Sequence, residues 1–490
     1  MWIAVVIALM AIYFIVDVLV SRSRTHKGPQ PPQYPGALPL IGHGHLFASG
    51  NSVALFELCK DICSYSNSCG GVTGLKIGWT QNYLISDPDD CLTLSNASLE
   101  KNFIYEFMKP LLGNGMLIAP VPIWKVHRKL LSPAFNQEVL DGFIGIFNSQ
   151  AKKLVNSLSQ EVGKKPFNFW PYIGSLGLET ICFTAMGGAA DSVNSTEYLN
   201  AIEELADMLT QKLTKFWLHN SLIFYFSTIR KKQEKYIKIV NDVTYAVLEK
   251  KRNEMLNGTS NVGENSGRKF KAFIDLIMEY SGEKSVLSDQ EIINETTNII
   301  LAGQDTSAST IVYALILLGS HPEIQERIFE EILEVLGDRD VEKQDLPKLV
   351  FLEAVLKETM RLYPIAPFVG RRLTEDVQLK NCTLPAGSSA FLAIHALHRL
   401  KMWGDDVEHF VPDRWLDKSR IPEHPAAFAA FSIGRRMCIG KKYALMTMKT
   451  TLVHLLRNFK VKSDISKLQL KLDIMLRPAS GHYISVESRK

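Results

Sequence analysis

The chain contains few cysteines and only a small excess of positive charge, a net of +4. Its 490 residues include seven cysteines, an odd number scattered along the sequence. Such a set does not suit the disulfide framework of a secreted protein and is typical of a reducing compartment. There are 55 Lys and Arg residues against 51 Asp and Glu, and no basic run is interleaved with aromatic residues. We therefore expect no nucleic-acid partner.

A zinc site also lacks the residues that it would need. Cys59 and Cys63 are four positions apart on a predicted helix, and Cys69 follows soon after. No second pair with histidines lies nearby, and a structural zinc site needs four such ligands. Zinc is therefore only a weak alternative for these cysteines.

The N-terminus is the longest apolar run of the chain. Residues 1–21 carry Asp17 as the one charge, and Arg22, Arg24 and Lys27 follow. A run of this length can cross a bilayer, and the positive charges after it would stay on the cytosolic side. We predict an uncleaved single-pass transmembrane anchor over 1–21, with the rest of the chain in the cytosol. The alternative is a cleaved or buried apolar helix.

The remaining chain divides into a hinge and one large body. Residues 22–45 hold five prolines within eleven positions, and proline fixes φ, so this segment predicts a stiff spacer. Residues 46–490 then show mostly helical periodicity through about residue 365. Strand-like segments occur at 71–86, at 377–394 and at the C-terminus, and a polar break at 257–269 predicts a surface loop. The predicted fold class is mainly α with small β-sheets.

The strongest helix prediction begins after Ser288. Glu291 stands three residues later, as in a capping box, and apolar periodicity continues for roughly 30 residues to Gly319. Yet the centre, residues 302–307, reads AGQDTS, and polar groups inside a core are costly unless they are satisfied. This centre is either a functional site or a small-residue notch for helix packing with hydroxyls bonded to the backbone.

Cys438 differs from the other cysteines in its setting. It precedes an amphipathic helix predicted to begin near Ile439, and a helix N-terminus lowers the pKa of a thiol. Gly434 and Gly440 remove side chains on both sides, and Arg436 offers a cation. Cys438 could be an inert thiol, a nucleophile or a metal ligand. A thiolate bound to a flat macrocycle that bears carboxylates explains all of these features together.

The stretch from Phe431 to Gly440 reads FxxGxRxCxG and resembles the haem-binding loop of the cytochrome P450 monooxygenases. Other segments resemble that family in the same order. They are WKVHR at 124–128, AGQDTS at 302–307, KETMR at 357–361 and FVPDRW at 410–415. The amino-acid sequence resembles most closely the animal microsomal group that contains fatty-acid ω-hydroxylases. The resemblance covers essentially the whole chain and implies the cytochrome P450 fold with one N-terminal transmembrane helix.

The resemblance also implies roles for particular residues. Cys438 would be the axial thiolate of a haem b iron, Thr306 would route protons to bound oxygen, and Asp305 would support that relay or form a structural salt bridge. Glu358, Arg361 and Arg414 would form a structural network. The residues expected to contact the haem or its oxygen are Trp124, Arg128, Ala302, Gly303, Phe431, Gly434, Arg436 and Gly440.

The resemblance further implies partners and a location. Microsomal relatives take electrons from an NADPH-dependent flavoprotein reductase, with a small electron-transfer haem protein as a second donor. The chain itself shows no convincing dinucleotide fingerprint. We expect O2 and a lipophilic substrate (a fatty acid, a hormone-like lipid or a xenobiotic), and an endoplasmic reticulum location with the catalytic domain facing the cytosol. The basic residues near the haem motifs could form the reductase face; they are Lys125, Arg128, Lys129, Arg435, Lys441 and Lys442.

Departures from the family pattern leave alternatives open. Many members of the ω-hydroxylase group carry a glutamate where this chain has Ala302, and that glutamate tethers the haem through an ester, so no tether is expected here. Asp413 and Trp415 replace the commoner glutamate and phenylalanine. One alternative function is a peroxide isomerase of the same fold that needs no external electrons. Another is a non-catalytic membrane protein that binds haem or lipid.

Overall fold

A computed structural model describes residues 28–48, 50–78, 80–187, 194–256, 273–281 and 287–489. The predicted anchor at 1–21, the first part of the hinge and the predicted loop at 257–269 lie outside these residues. Within them, one helix is long and apolar enough to cross a membrane, and it is the helix after Ser288, most of which is buried inside the protein. That helix is therefore a core element.

Helices make up most of the described structure, as the sequence predicts. They are α1 (Ser52–Ser68), α2 (Pro88–Ala97), α3 (Lys109–Leu112), α4 (Val121–Leu131), α5 (Gln137–Asp141), α6 (Ile144–Leu158), α7 (Trp170–Met186), α8 (Ser195–Thr214), α9 (Ser221–Phe226), α10 (Thr228–Leu256), α11 (Phe273–Ser281), α12 (Asp289–Ser320), α13 (Pro322–Leu336), α14 (Val350–Leu362), α15 (Ile394–Leu397) and α16 (Lys441–Asn458).

The strands are short and lie in small sheets, again as predicted. They are β1 (Val72–Ile77), β2 (Thr80–Ile85), β3 (Phe167–Asn168), β4 (Phe368–Arg372), β5 (Val377–Gln378), β6 (Thr383–Leu384), β7 (Ser389–Ala393), β8 (Phe459–Lys462), β9 (Leu470–Asp473), β10 (Met475–Pro478) and β11 (Tyr483–Ser488). The largest sheet has the order β1-β2-β7-β4, in which β2 and β7 run parallel. The others are β3-β11-β8 and the pairs β9-β10 and β5-β6.

Helix α12 lies in the middle of the main hydrophobic core. Ser288 and Glu291 form the capping box that the sequence predicts, which satisfies free N–H groups at the helix start. The helix runs for 32 residues to Ser320 and is buried along most of its length. It packs against α7, α14 and α16, so residues at its centre can reach the interior of the molecule.

The proline-rich hinge is docked on the body over its described part. Tyr34 N donates to Gly74 O at 2.9 Å, and Gly74 N donates to Pro32 O at 2.8 Å. His43 N also bonds to Lys76 O of the same strand. The segment from Pro32 to His43 is therefore held against β1.

Candidate functional site

Cys438 lies in a tight loop that leads into α16. Its N–H donates to Phe431 O at 2.9 Å, and Met437 N donates to Gly434 O at 3.1 Å. Helix α16 begins at Lys441 with Gly440 as its N-cap, within two residues of the predicted start. The loop therefore presents the cysteine just before a helix N-terminus, as the sequence indicates.

The Cys438 thiol faces a space inside the protein. Cys438 is exposed, unlike the other cysteines of the described residues. Yet burial in surrounding protein raises the pKa of its thiol, against the opposing effects of the Gly440 N–H and the charges of Arg128 and Lys441. A side chain that is both accessible and enclosed lines an interior space. A bound metal cation would favour the thiolate there.

The two glycines of the loop differ in what an added side chain would contact. Gly434 has a φ of +72°, and a Cβ there would come within 2.7 Å of Ser95 Cβ on α2. A Cβ on Gly440 would meet only Cys438 Sγ, at 3.9 Å. The backbone conformation of Gly434 and the close approach of α2 are therefore enough to explain its missing side chain. Its contact with haem stays a prediction.

Arg436 joins the loop to the segment around α4. Its Nη2 donates to Ala119 O at 2.7 Å, and its guanidinium carbon lies 4.6 Å from the centre of the Trp124 ring. Arg128 Nη1 donates to Met437 O at 3.0 Å. The structure thus brings the predicted residues Trp124, Arg128 and Arg436 together beside Cys438. Burial lowers the pKa of Arg436 to about 10, with the charge of Arg371 as a further cause.

Arg371 and Lys101 lie near Arg436, and we call this group of three cationic side chains the cation pocket. No sequence motif pointed to Arg371 or Lys101. Arg371 is fully buried on β4, and its Nε and Nη2 have no partner. Arg436 likewise leaves Nε and Nη1 unpaired. Lys101 forms an isolated β-bridge with Arg371, and burial together with the charges of Arg371 and Arg436 lowers its pKa well below the usual value. Buried donors without partners are costly, so this pocket fits an anion with several oxygen atoms.

The predicted network of Glu358, Arg361 and Arg414 is confirmed. Arg361 makes two bonds of 2.8 Å to the Glu358 carboxylate, and Arg414 Nε lies 3.4 Å from Glu358 Oε1. All three side chains are fully buried. Trp415 Nε1 also donates to Glu358 at 2.9 Å, a bond that the commoner phenylalanine could not make. Asp413 instead accepts from Arg327 at the surface.

The centre of α12 shows the features of a packing notch. The Thr306 hydroxyl donates to Ala302 O at 2.7 Å. A Cβ on Gly303 would come within 2.6 Å of Ile181 Cδ1 on α7, and a Cβ on Gly177 would come within 2.9 Å of Gln304 O. Gly303 is therefore explained by the close approach of α7 and α12. Ala302, Gly303 and Thr306 are only partly buried, so their predicted contacts with haem and oxygen remain predictions.

Asp305 forms a buried salt bridge. Its Oδ1 accepts from Arg477 Nη2 at 2.7 Å, and both residues are almost completely buried. The Arg477 guanidinium also lies over the Trp170 ring, 5.1 Å from its centre. Of the two roles that the sequence left open for Asp305, the structural salt bridge is the one seen. No hydrogen bond or ion pair joins Thr306 or Asp305 to the Cys438 loop within the described ranges.

An apolar cavity of about 760 Å³ lies between the β1-β2 hairpin and the end of α8. Its walls include Phe47, Leu75, Met108 and Leu213, with Ile474 from the turn between β9 and β10. Such a volume and lining are typical of a small-molecule site.

The zinc hypothesis gains no support, since the described part of the chain holds no cluster of three or more potential metal ligands.

Comparison with known proteins gives the same family along the whole chain. The family model named Cytochrome P450 matches residues 32–485. Cytochrome P450 4V2 of Mus musculus is 32% identical over 492 residues, which cover 97% of this chain and 93% of the relative. Cytochrome P450 4c3 of Drosophila melanogaster is 30% identical over 97% of this chain and 92% of the relative. Probable cytochrome P450 4s3 of the same fly is 34% identical over 86% and 85%.

The chain therefore belongs to the cytochrome P450 family. It is a monooxygenase of that family, whose members use haem b with an iron held by a cysteine thiolate, together with O2, an electron-transfer partner and generally a lipophilic substrate. The cation pocket fits such a group, because the two carboxylates of haem b would pair with the unpartnered donors of Arg371 and Arg436.

Proposed function

We propose that this protein binds haem b through Cys438 and inserts one oxygen atom of O2 into a lipophilic substrate at the endoplasmic reticulum membrane. The observation that carries the proposal is the accessible, enclosed Cys438 thiol beside a pocket of unpaired buried cations. When bound, the haem supplies the activation of O2. The chain supplies the iron ligand, the counter-charges for the carboxylates and a site for proton transfer.

The haem would be held between the Cys438 loop and the cation pocket. The backbone N–H of Gly440 lowers the pKa of the Cys438 thiol, and such a donor would tune the electron density of a thiolate ligand. Arg371, Arg436 and Lys101 would pair with the carboxylates, and Trp124 would pack beside them. Ala302 at the tether position supports a haem without a covalent ester.

Thr306 would hold a proton at its Oγ1. The hydroxyl hydrogen bonds to Ala302 O, so the oxygen lone pairs remain able to accept a bond from water. A proton that arrives by water could pass on through this hydroxyl once its own hydrogen turns from Ala302 O to the acceptor, because general acid catalysis needs hydrogen-bond reach rather than a strong acid. The salt bridge to Arg477 would hold Asp305 in place. Asp305 would therefore act by fixing α12 rather than as a mobile carboxylate.

The electron donor would bind the face around the Cys438 loop. Arg435, Lys441 and Lys442 are exposed there, and Lys125 and Lys129 are exposed on α4. Arg128 ties α4 to that loop through Met437 O. These cations favour an acidic partner through electrostatic steering, which suits an NADPH-dependent flavoprotein reductase or a small electron-transfer haem protein.

The membrane face would lie beside the apolar cavity. Leu222 and Phe226 of α9 are 71% and 81% exposed, and Phe216 and Trp217 just before them are also exposed. Clusters of exposed large apolar side chains mark interaction surfaces. This cluster includes Phe216, which lines the cavity together with His219. A lipophilic substrate could then pass from the bilayer into the cavity. The N-terminal anchor at 1–21 would keep the body on the cytosolic side.

The test is the carbon-monoxide difference spectrum of the reduced protein in membranes. We expect a strongly red-shifted Soret band that Cys438→Ser abolishes. Cys69→Ser is the matched control, since Cys69 lies partly buried at the end of α1 and should leave the band unchanged. A well-expressed protein whose band lacks the red shift, or a Cys438→Ser variant that keeps it, would contradict the proposal. Turnover with peroxide but without NADPH would favour the isomerase.

A further inference from the structure

The cavity wall carries no full charge among its described residues. Aliphatic and aromatic side chains make up most of it, and none of its described members is Lys, Arg, Asp or Glu. The polar members are Thr80, Asn82, Tyr105, Thr214 and His219. A ligand inside would therefore meet few groups able to compensate a charge.

Most of these polar groups already have partners in the protein. The Asn82 amide donates to Thr80 O at 3.1 Å, and the Thr214 hydroxyl donates to Thr210 O at 2.9 Å. His219 Nε2 lies 2.9 Å from Lys212 O. Burial lowers the pKa of His219, which disfavours the imidazolium form that would pair with a carboxylate.

Thr80 and Tyr105 are the remaining polar residues of the wall, and Tyr105 has the larger polar side chain. Its hydroxyl oxygen accepts from Gly370 N at 3.3 Å, which leaves the hydroxyl hydrogen available for donation. Burial raises the pKa of Tyr105, so the group stays a neutral donor. It can serve one hydroxyl, carbonyl or ester oxygen of a ligand.

Two lysines near the cavity are directed elsewhere. Lys101 Nζ lies over the outer face of the Tyr105 ring at 4.5 Å, within the cation pocket assigned to the haem carboxylates. Lys212 Nζ lies 3.6 Å from the centre of the Phe224 ring and 4.6 Å from that of Phe107. Neither lysine lines the cavity.

We propose that the cavity binds a neutral lipophile with at most one or two hydrogen-bonding oxygens, and that it discriminates against a fatty-acid carboxylate. This inference rests on the proposed function and narrows its substrate class. A buried carboxylate without a partner costs several kcal/mol. A neutral ester or alcohol of the same chain length avoids that cost and can accept the Tyr105 hydrogen bond.

The test compares dodecanoic acid with its methyl ester on the full chain in an uncharged detergent. Binding is measured by displacement of a neutral fluorescent lipid, which requires no turnover. At pH 7.5 we expect the ester to bind at least tenfold more tightly, on the order of 1.4 kcal/mol. The gap should narrow as the pH falls and the acid becomes protonated. An acid that binds as tightly as the ester at pH 7.5 would overturn the proposal.

Three further variants locate the discrimination in the cavity. Leu213→Arg adds a cation to the wall and should raise the affinity for the acid, whereas Leu222→Arg adds the same charge on the exposed surface of α9 and should not. Lys212→Met should leave the affinity for the acid unchanged. A loss of acid binding in Lys212→Met would show that the lysine receives a carboxylate and would also overturn the proposal.

The outcomes separate this inference from the proposed function. A red-shifted carbon-monoxide spectrum together with a preference for the acid leaves the monooxygenase standing and refutes the neutral substrate. A preference for the ester without the red-shifted band supports the cavity assignment and refutes the haem-thiolate chemistry.

Discussion

Arg371 and Arg372 point to opposite faces of β4, so they form a matched pair for testing the cation pocket. Arg371 is buried with unpaired donors, whereas Arg372 is exposed. We expect Arg371→Met to release haem faster, roughly ten- to a hundredfold, because a charged hydrogen bond to a carboxylate contributes about 1.5–3 kcal/mol. Transfer of haem to excess apomyoglobin measures the rate. Arg372→Met should behave as wild type, and equal rates for both variants would exclude Arg371 from haem binding.

The Asp305–Arg477 pair can be separated into structural and chemical roles by a double-mutant cycle. Asp305→Asn or Arg477→Met alone leaves a buried charge without its partner and should cost about 3 kcal/mol. The double variant should recover much of this stability in thermal unfolding. If the pair is structural, the double variant also recovers the coupling of NADPH oxidation to product. Recovered stability with lasting peroxide release would instead make Asp305 part of the proton relay.

Single residues also show where inference from sequence stops. Cys438, Arg436, Trp124 and Arg128 follow from motifs that resemble the family, and the fold brings the last three together, while their contacts with haem stay predictions. Arg371 could not, since FVGRR has two adjacent arginines and only the strand register decides which one points inward. The role of Gly303 could not be decided from the sequence for a related reason. Ile181, which leaves no room for a side chain there, lies on α7, far away in sequence.

At the scale of elements, local signals predicted the helices well and their contacts poorly. The capping box of α12 and the start of α16 depend on neighbouring residues, so the sequence contains them. The docking of the hinge on β1 uses backbone groups of residues about 40 positions apart, such as Tyr34 and Gly74. Backbone hydrogen bonds of this kind leave little trace in side-chain pattern, so the hinge was predicted only as a stiff spacer.

A buried histidine connects α4 to α12 and makes their contact sensitive to pH. His127 Nδ1 lies 2.6 Å from Glu295 Oε1, and its Nε2 lies 3.4 Å from Glu291 Oε1. Burial alone would lower the pKa of His127, but its hydrogen bond to Glu295 and the charges of both glutamates outweigh it, so the pKa is raised. The contribution of this pair is thus complete below about pH 6.5 and is lost as the pH rises through the raised value.

Thermal unfolding of His127→Gln across pH 6 to 9 tests this connection. At pH 6 the variant should be less stable than wild type by about 3 kcal/mol, because Glu295 keeps a buried charge without its cation. The difference should shrink toward pH 9, where wild type has lost the same charge. His409→Gln, at an exposed position, should show no pH-dependent difference. A constant difference across this range would mean that His127 does not titrate there and would contradict the prediction.

At the scale of the whole molecule, exposed apolar side chains form a face near α9 and exposed cations form a face near the Cys438 loop. The basic face leads to a kinetic prediction. Lys442→Glu should slow the first electron transfer from a flavoprotein reductase several-fold at low ionic strength, because it replaces attraction by repulsion. The effect should fade at high salt, where the Debye length falls to about 3 Å at 1 M. Lys232→Glu changes the same charge on α10, after the apolar segment, and should leave the rate unchanged. Stopped-flow reduction under carbon monoxide measures both variants. A defect of Lys442→Glu that persists at high salt would point to damage to the Cys438 loop rather than to a docking face.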